Sequence, residues 1–151
     1  MNTLYLMNNI DLSNNNLSGV VSEELTCLFR LGTLNLSMNH LTGKILEKIG
    51  KLHWLETLDL SLNQLSGTIP LSMSYFTSLS YLNLSHNNPS GKIPSSNQFS
   101  TLNDPSIYEG NAALCGLPLI NKCIDDDKIP HFNYGGGEGK DDEDEDEFEM
   151  F

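Results

Sequence analysis

The chain has 151 residues and a formal net charge of −12, with 19% charged and 38% hydrophobic residues. That length fits one domain, and the lack of any basic patch excludes a nucleic-acid partner. The charge is uneven: residues 125–151 hold twelve of the twenty acids and two lysines, a net of −10, which leaves residues 1–124 near neutral at −2.

The opening residues, MNTLYLMNNI, lack the basic start, apolar run and cleavage site of a signal peptide. No apolar window of the roughly 18 residues needed to span a bilayer follows. From Met7 the chain repeats itself every 24 residues: MNNIDLSNNNL, LGTLNLSMNHL from Leu31, LETLDLSLNQL from Leu55 and LSYLNLSHNNP from Leu79. A second phrase recurs in step, as LSGVVS at 17–22, LTGKIL at 41–46, LSGTIP at 65–70 and PSGKIP at 89–94. Between them runs an apolar ladder at spacing three: Leu25, Leu28, Leu31, Leu34, then Ile49, Leu52, Leu55, Leu58, then Met73, Phe76, Leu79, Leu82. So short a unit cannot enclose its own leucines. Stacking coil on coil does, which is why the period must be strict.

Each segment has a physical task. The alternation in LNLS and LDLS sends Leu34, Leu36, Leu58 and Leu60 inward and Asn35 and Asp59 outward, predicting one short parallel strand per coil. Asn15, Asn39, Asn63 and Asn87 recur where the chain turns inward, where a side-chain amide can donate to and accept from the backbone of adjacent coils. The Gly of SGxIP supplies backbone freedom, and the Pro fixes φ as the chain swings outward. The pattern L-x-x-L-x-L-x-x-N-x-L is that of the leucine-rich repeat, with Met7 and Ile10 as apolar substitutes and Pro89 as the one break. It predicts an α/β-type repeat solenoid: a right-handed coil with a short parallel β-sheet on its concave face, followed by a disordered acidic tail. The expected division is four repeats over 1–96, a capping segment over 97–124 and the tail over 125–151, read as a solvated, self-repelling spacer. The first coil, at Leu4, Leu6, Met7 and Ile10, has no cap beneath it and is expected to fray and to self-associate through that open end.

No catalytic constellation emerges, so no enzyme activity, cofactor or metal is expected. YGGGEGK at 134–140 lacks the spacing of a phosphate loop. His40 and His86 sit two coils apart, about 10 Å, too far to share a metal. The acidic run has no calcium-loop spacing. A surface remains. Of the outward columns, Asn14/Met38/Leu62/His86 varies most and places two apolar groups in water, with the aromatic Tyr81 nearby; Met38, Leu62, Tyr81 and His86 form the candidate partner face. The sequons at Asn16, Asn35 and Asn83 are candidate glycosylation sites, with N-L-S also arising from the repeat itself. Cys115 and Cys123 are spaced to close a small loop or to stand as two free thiols, and Cys27 is left over.

L-x-L-S-x-N-x-L-S-G-x-I-P at 24 residues resembles the extracellular repeats of plant receptor-like proteins and receptor-like kinases. NQFSTLNDPSIYEGNAALCGLPLINKC, Asn97 to Cys123, looks like the C-terminal cap of the receptor-like proteins, and DEDEDEFEMF like their juxtamembrane segment. The resemblance implies a Cys115–Cys123 disulfide and a non-enzymatic recognition module at the extracellular side of the plasma membrane, anchored only through a further helix downstream. It further implies an unidentified peptide, protein or glycan ligand and receptor-like kinase co-receptors, with signalling in defence or development. Alternatives are a secreted inhibitor of microbial wall-degrading enzymes, the ectodomain end of a receptor kinase, and a non-functional truncated receptor.

Overall fold

The computed structural model describes residues 9–95 and 103–124. Its strands fall into two sets. β1 (Asn9–Asp11), β3 (Thr33–Asn35), β5 (Thr57–Asp59) and β7 (Tyr81–Asn83) form a parallel four-stranded sheet in that order. Ile10, Leu34, Leu58 and Leu82 stand in register across it, one full period apart. This is the predicted concave sheet.

A second set was not anticipated. β2 (Ser18–Val20) pairs with β4 (His40–Thr42), and β6 (Ser66–Thr68) pairs with β8 (Asn88–Lys92), which in turn pairs with β9 (Leu114–Cys115). All are parallel, and a bridge between Lys44 and Ser66 links the two groups. These strands pair Ser18 with His40 and Ser66 with Asn88, a step of 22 residues instead of 24. Their hydrogen bonds run through the S/T-G phrase. Gly19, Gly43, Gly67 and Gly91 all have φ between 77° and 86°, a left-handed conformation that glycine adopts without strain.

The connections opposite the concave sheet are 3₁₀ turns: Glu23–Cys27, Ile49–Lys51 and Leu71–Tyr75. Here the spacing-three ladder finds its cause. A 3₁₀ turn repeats every three residues, so apolar groups at i and i+3 share one side. The bonds Leu52 N to Ile49 O and Leu55 N to Leu52 O, both 3.1 Å, carry that geometry along the ladder. Leu34, Leu52, Leu55, Leu58 and Met73 are wholly buried as a result, each leucine contributing about 2 kcal/mol by its removal from water. The first described coil differs: Leu12 and Leu28 remain 44% and 47% exposed.

At the other end a cap continues the stack. Asp104 accepts from Ser106 N at 2.9 Å and starts a 3₁₀ turn, Pro105–Tyr108. Leu84 N and His86 N then donate to Ile107 O and Glu109 O, as they would to a further coil. A disulfide joins Cys115 to Cys123 beyond β9, while Cys27 is free and exposed. Tyr108 fills the cap interior at 1% exposure, and its hydroxyl has no hydrogen-bond partner among the described residues. Burial pushes the phenol's pKa well above its usual value. Because the oxygen is desolvated and uncompensated, Tyr108→Phe should raise stability by about 1 kcal/mol, read as a higher urea midpoint at unchanged slope. The tail over 125–151, the start of the cap, and Leu4, Leu6 and Met7 lie outside the described residues.

Candidate functional site

The concave face is built from a repeated lock. In each coil an Asp or Asn at the outward strand position accepts from the serine two residues on. Ser13 N and Oγ bond to Asp11 Oδ1 at 3.0 and 2.6 Å, and Ser37 to Asn35 Oδ1 at 3.0 and 2.7 Å. Ser61 reaches Asp59 Oδ1 at 3.0 and 2.7 Å, and Ser85 N reaches Asn83 Oδ1 at 3.0 Å. Side chains that bond the backbone two residues ahead turn the chain sharply. For Asp11 the bonds from the Ser13 hydroxyl and then its N–H favour the carboxylate and hold its pKa below the ordinary 3.8.

The turn forces the next residue into the left-handed region. Asn14, Met38, Leu62 and His86 have φ of 55°, 56°, 57° and 55°. For Met38 and Leu62 this conformation costs about 1–2 kcal/mol each. It places both side chains outward at 49% and 48% exposure, with Tyr81 at 48%. His86 is exposed too, its ring lying on Gly110: a Cβ built there would meet Nδ1 at 2.5 Å. Tyr81 also borders a hollow of about 290 Å³ between β7 and the cap, shared with Asn83, Asp104 and Ser106. The face therefore combines an apolar strip with an aromatic flank and a carboxylate at its C-terminal side. Asp104, one period after Ser80, was missed because the repeat was not counted into the cap.

The asparagines act behind the face. Asn39 Oδ1 accepts from Asn15 N and Leu17 N at 3.0 and 2.9 Å, and its Nδ2 donates to Leu12 O, Leu36 O and Ser37 O. Asn63 and Asn87 repeat the arrangement on Leu41 N and Leu65 N. A fifth rung was missed. Asn111 accepts from Asn87 N at 2.7 Å and donates to Leu84 O at 2.9 Å. It stands 24 residues after Asn87, and Gly110 before it, with φ of 77°, takes the place of His86. The period counted through the cap would have found both.

Of the sequon asparagines, Asn16 is exposed, whereas Asn35 and Asn83 are half-buried with Oδ1 engaged as described. Among the described residues no group of three potential metal ligands comes together, and no helix is long and apolar enough to cross a membrane.

Strands aligned on one face over a fixed amide ladder define a repeat solenoid. Leucine Rich Repeat patterns match residues 3–28, 30–52 and 53–103. The chain belongs to the leucine-rich repeat family, and its structure is similar to plant receptor ectodomains. It is 39% identical to a chain in the BIR3–SERK2 complex from Arabidopsis thaliana, with a TM-score of 0.69 over 76% of this chain and 59% of that one. The BIR2 ectodomain from the same plant gives 37% identity and a TM-score of 0.66 over 75% and 59%. The Arabidopsis receptor kinase HAESA, in complex with the peptide hormone IDA and the co-receptor SERK1, gives 43% and 0.61 over 70% of this chain and 17% of that one. The chain thus spans 59% of the length of the first two and a sixth of the third. No curated protein sequence matches it.

Proposed function

We propose that the chain serves ligand recognition at the plant cell surface, its concave face taking an extended peptide as part of a receptor-like protein that works with receptor kinases. One observation carries the reading: Met38 and Leu62 are held outward by strained left-handed backbone on a rigid sheet, with Tyr81 beside them. An apolar strip kept half in water at conformational expense is suited to burial by a partner. HAESA, a similar structure, is crystallised with a peptide hormone and a co-receptor, which supports the same class of ligand and partner here. The exposed Asn16 is the sequon best placed for a glycan that leaves the strip open, and the receptor reading puts the chain outside the plasma membrane.

Selection of a displayed random peptide library against the immobilised chain tests this. Binders should lose affinity by about tenfold or more on Met38→Ser/Leu62→Ser/Tyr81→Ser and keep it on Trp54→Ser, which changes an exposed residue at the end of a 3₁₀ ladder, off the concave strip. Binders sensitive to Trp54 and indifferent to the triple substitution would overturn the reading.

A further inference from the structure

Charge is sorted around the coil. The segments 32–40, 56–64, 80–88 and 104–112, which carry the concave face of successive turns, hold Glu56, Asp59, Asp104 and Glu109 and neither lysine nor arginine. The rest of residues 1–124 has four acids and six bases, so a body of net −2 divides into −4 on this side and +2 elsewhere. Glu56, Asp104 and Glu109 are exposed, and none of the four carboxylates has a cationic partner among the described residues. Next to them lies the hollow of about 290 Å³ walled by Ser80, Tyr81, Asn83, Asp104 and Ser106. Small-molecule pockets run from roughly 300 to 1,000 Å³, so this one suits the end of a single long side chain. Tyr81 offers it an exposed aromatic ring. Asp104 offers a carboxylate whose pKa the N–H of Ser106, at 2.9 Å, holds below the usual 3.8.

We propose that this hollow takes the guanidinium or ammonium end of a basic residue, and that the peptide recognised by the concave face is therefore cationic. The proposal rests on the peptide reading given above and names its ligand class. A cation that stacks on the tyrosine ring and meets the carboxylate is held by both, and arginine can pair with the acid through two parallel bonds. Glu56, one coil before Ser80, and Glu109, in the cap, add a field that draws the same charge and repels acidic peptides and anionic sugars. The apolar strip sets a second requirement. Tyr81 opens β7, whereas the column of Met38 and Leu62 falls five residues further along the coil, at His86. At about 3.3 Å per residue that is at most about 16 Å, so the basic and the apolar positions of the peptide stand several residues apart.

The full chain is tested with those peptides from the displayed random library that lose binding on Met38→Ser/Leu62→Ser/Tyr81→Ser. They should be enriched in arginine and lysine over aspartate and glutamate. Titration calorimetry then compares each peptide with a version carrying glutamine in place of its arginine and lysine, on wild type and on Asp104→Asn. Asparagine is an equally good cap for the turn Pro105–Tyr108, so the fold is kept. The basic peptide should bind Asp104→Asn about fivefold more weakly. The glutamine version should bind both proteins alike, a coupling that a structural role for Asp104 would not produce. Glu47→Gln makes the same charge change at an exposed site outside the concave segments and should leave affinity within about twofold. Strip-dependent peptides without basic enrichment, unchanged affinity on Asp104→Asn, equal losses for both peptide versions, or an equal loss on Glu47→Gln each overturn the cation pocket and leave peptide recognition standing. A library that yields no strip-dependent peptide removes the recognition reading and this proposal with it.

Discussion

Replacing Asn63 with alanine should destabilise the protein by about 3 kcal/mol or more. Asn63 is 8% exposed, accepts from Leu41 N at 3.0 Å and donates to Leu36 O, Leu60 O and Ser61 O. Two of those carbonyls have a second donor: Leu36 O is also met by Asn39 Nδ2, and Leu60 O by Asn87 Nδ2. Leu41 N has no substitute. Its burial without an acceptor costs about 1–3 kcal/mol, to which lost bonds of about 1 kcal/mol each and a small void are added. Asn63→Asp keeps the acceptor but turns a carboxylate toward three carbonyls and should be at least as damaging. Asn15→Ala, where the side chain is exposed and among the described residues bonds only Ser13 O of its own coil, should shift stability by under about 0.5 kcal/mol. Urea unfolding of the three variants makes the comparison; equal losses at positions 15 and 63 would show that the ladder works within coils and does not bind one to the next.

The second large effect is expected at Gly50. Its φ is not in the left-handed region, so conformational freedom is not the reason for glycine there. Close approach is. Gly50 N donates to Ser72 Oγ at 3.2 Å, and an added Cβ would meet the carbonyl carbon of Ser72 at 2.6 Å and its Cβ at 2.8 Å, with the carbonyl oxygen nearer still. Those atoms are mostly backbone and cannot swing aside. Gly50→Ala should push the turn Ile49–Lys51 off Leu71–Tyr75 and cost about 3 kcal/mol, and Gly50→Val more. A thermal midpoint unchanged from wild type in Gly50→Ala would show that the two turns are free to part.

Much of this architecture could be read from the chain. The alternation around Leu34, Leu58 and Leu82 located the concave sheet and its register, because burial on one side leaves a strict two-residue pattern. The second sheet left no such mark. Its strands are built on Ser-Gly and Thr-Gly, poor strand formers whose pairing depends on the coil already being closed. The 3₁₀ turns were present as a spacing of three without being recognised. At the candidate site, Met38, Leu62, Tyr81 and His86 were placed outward by counting. The left-handed backbone beneath three of them was not visible, since that column holds no glycine until Gly110. Asn111 escaped because YEGNAALCG keeps the amide of the repeat but has Tyr108 and Ala113 at the positions where the repeat pattern calls for leucine.

That backbone restricts what the face can become. A positive φ near 55° is hostile to side chains branched at Cβ, and the four coils carry Asn, Met, Leu and His there, none of them branched. Valine, isoleucine and threonine are thus struck from the alphabet available to this column. Specificity at these positions must be spelled with groups unbranched at Cβ, which reach further and adapt their shape but lose more freedom when a ligand fixes them. Selection for tighter recognition then favours ring-bearing residues, whose two torsions leave little to lose, and His86 already stands as one.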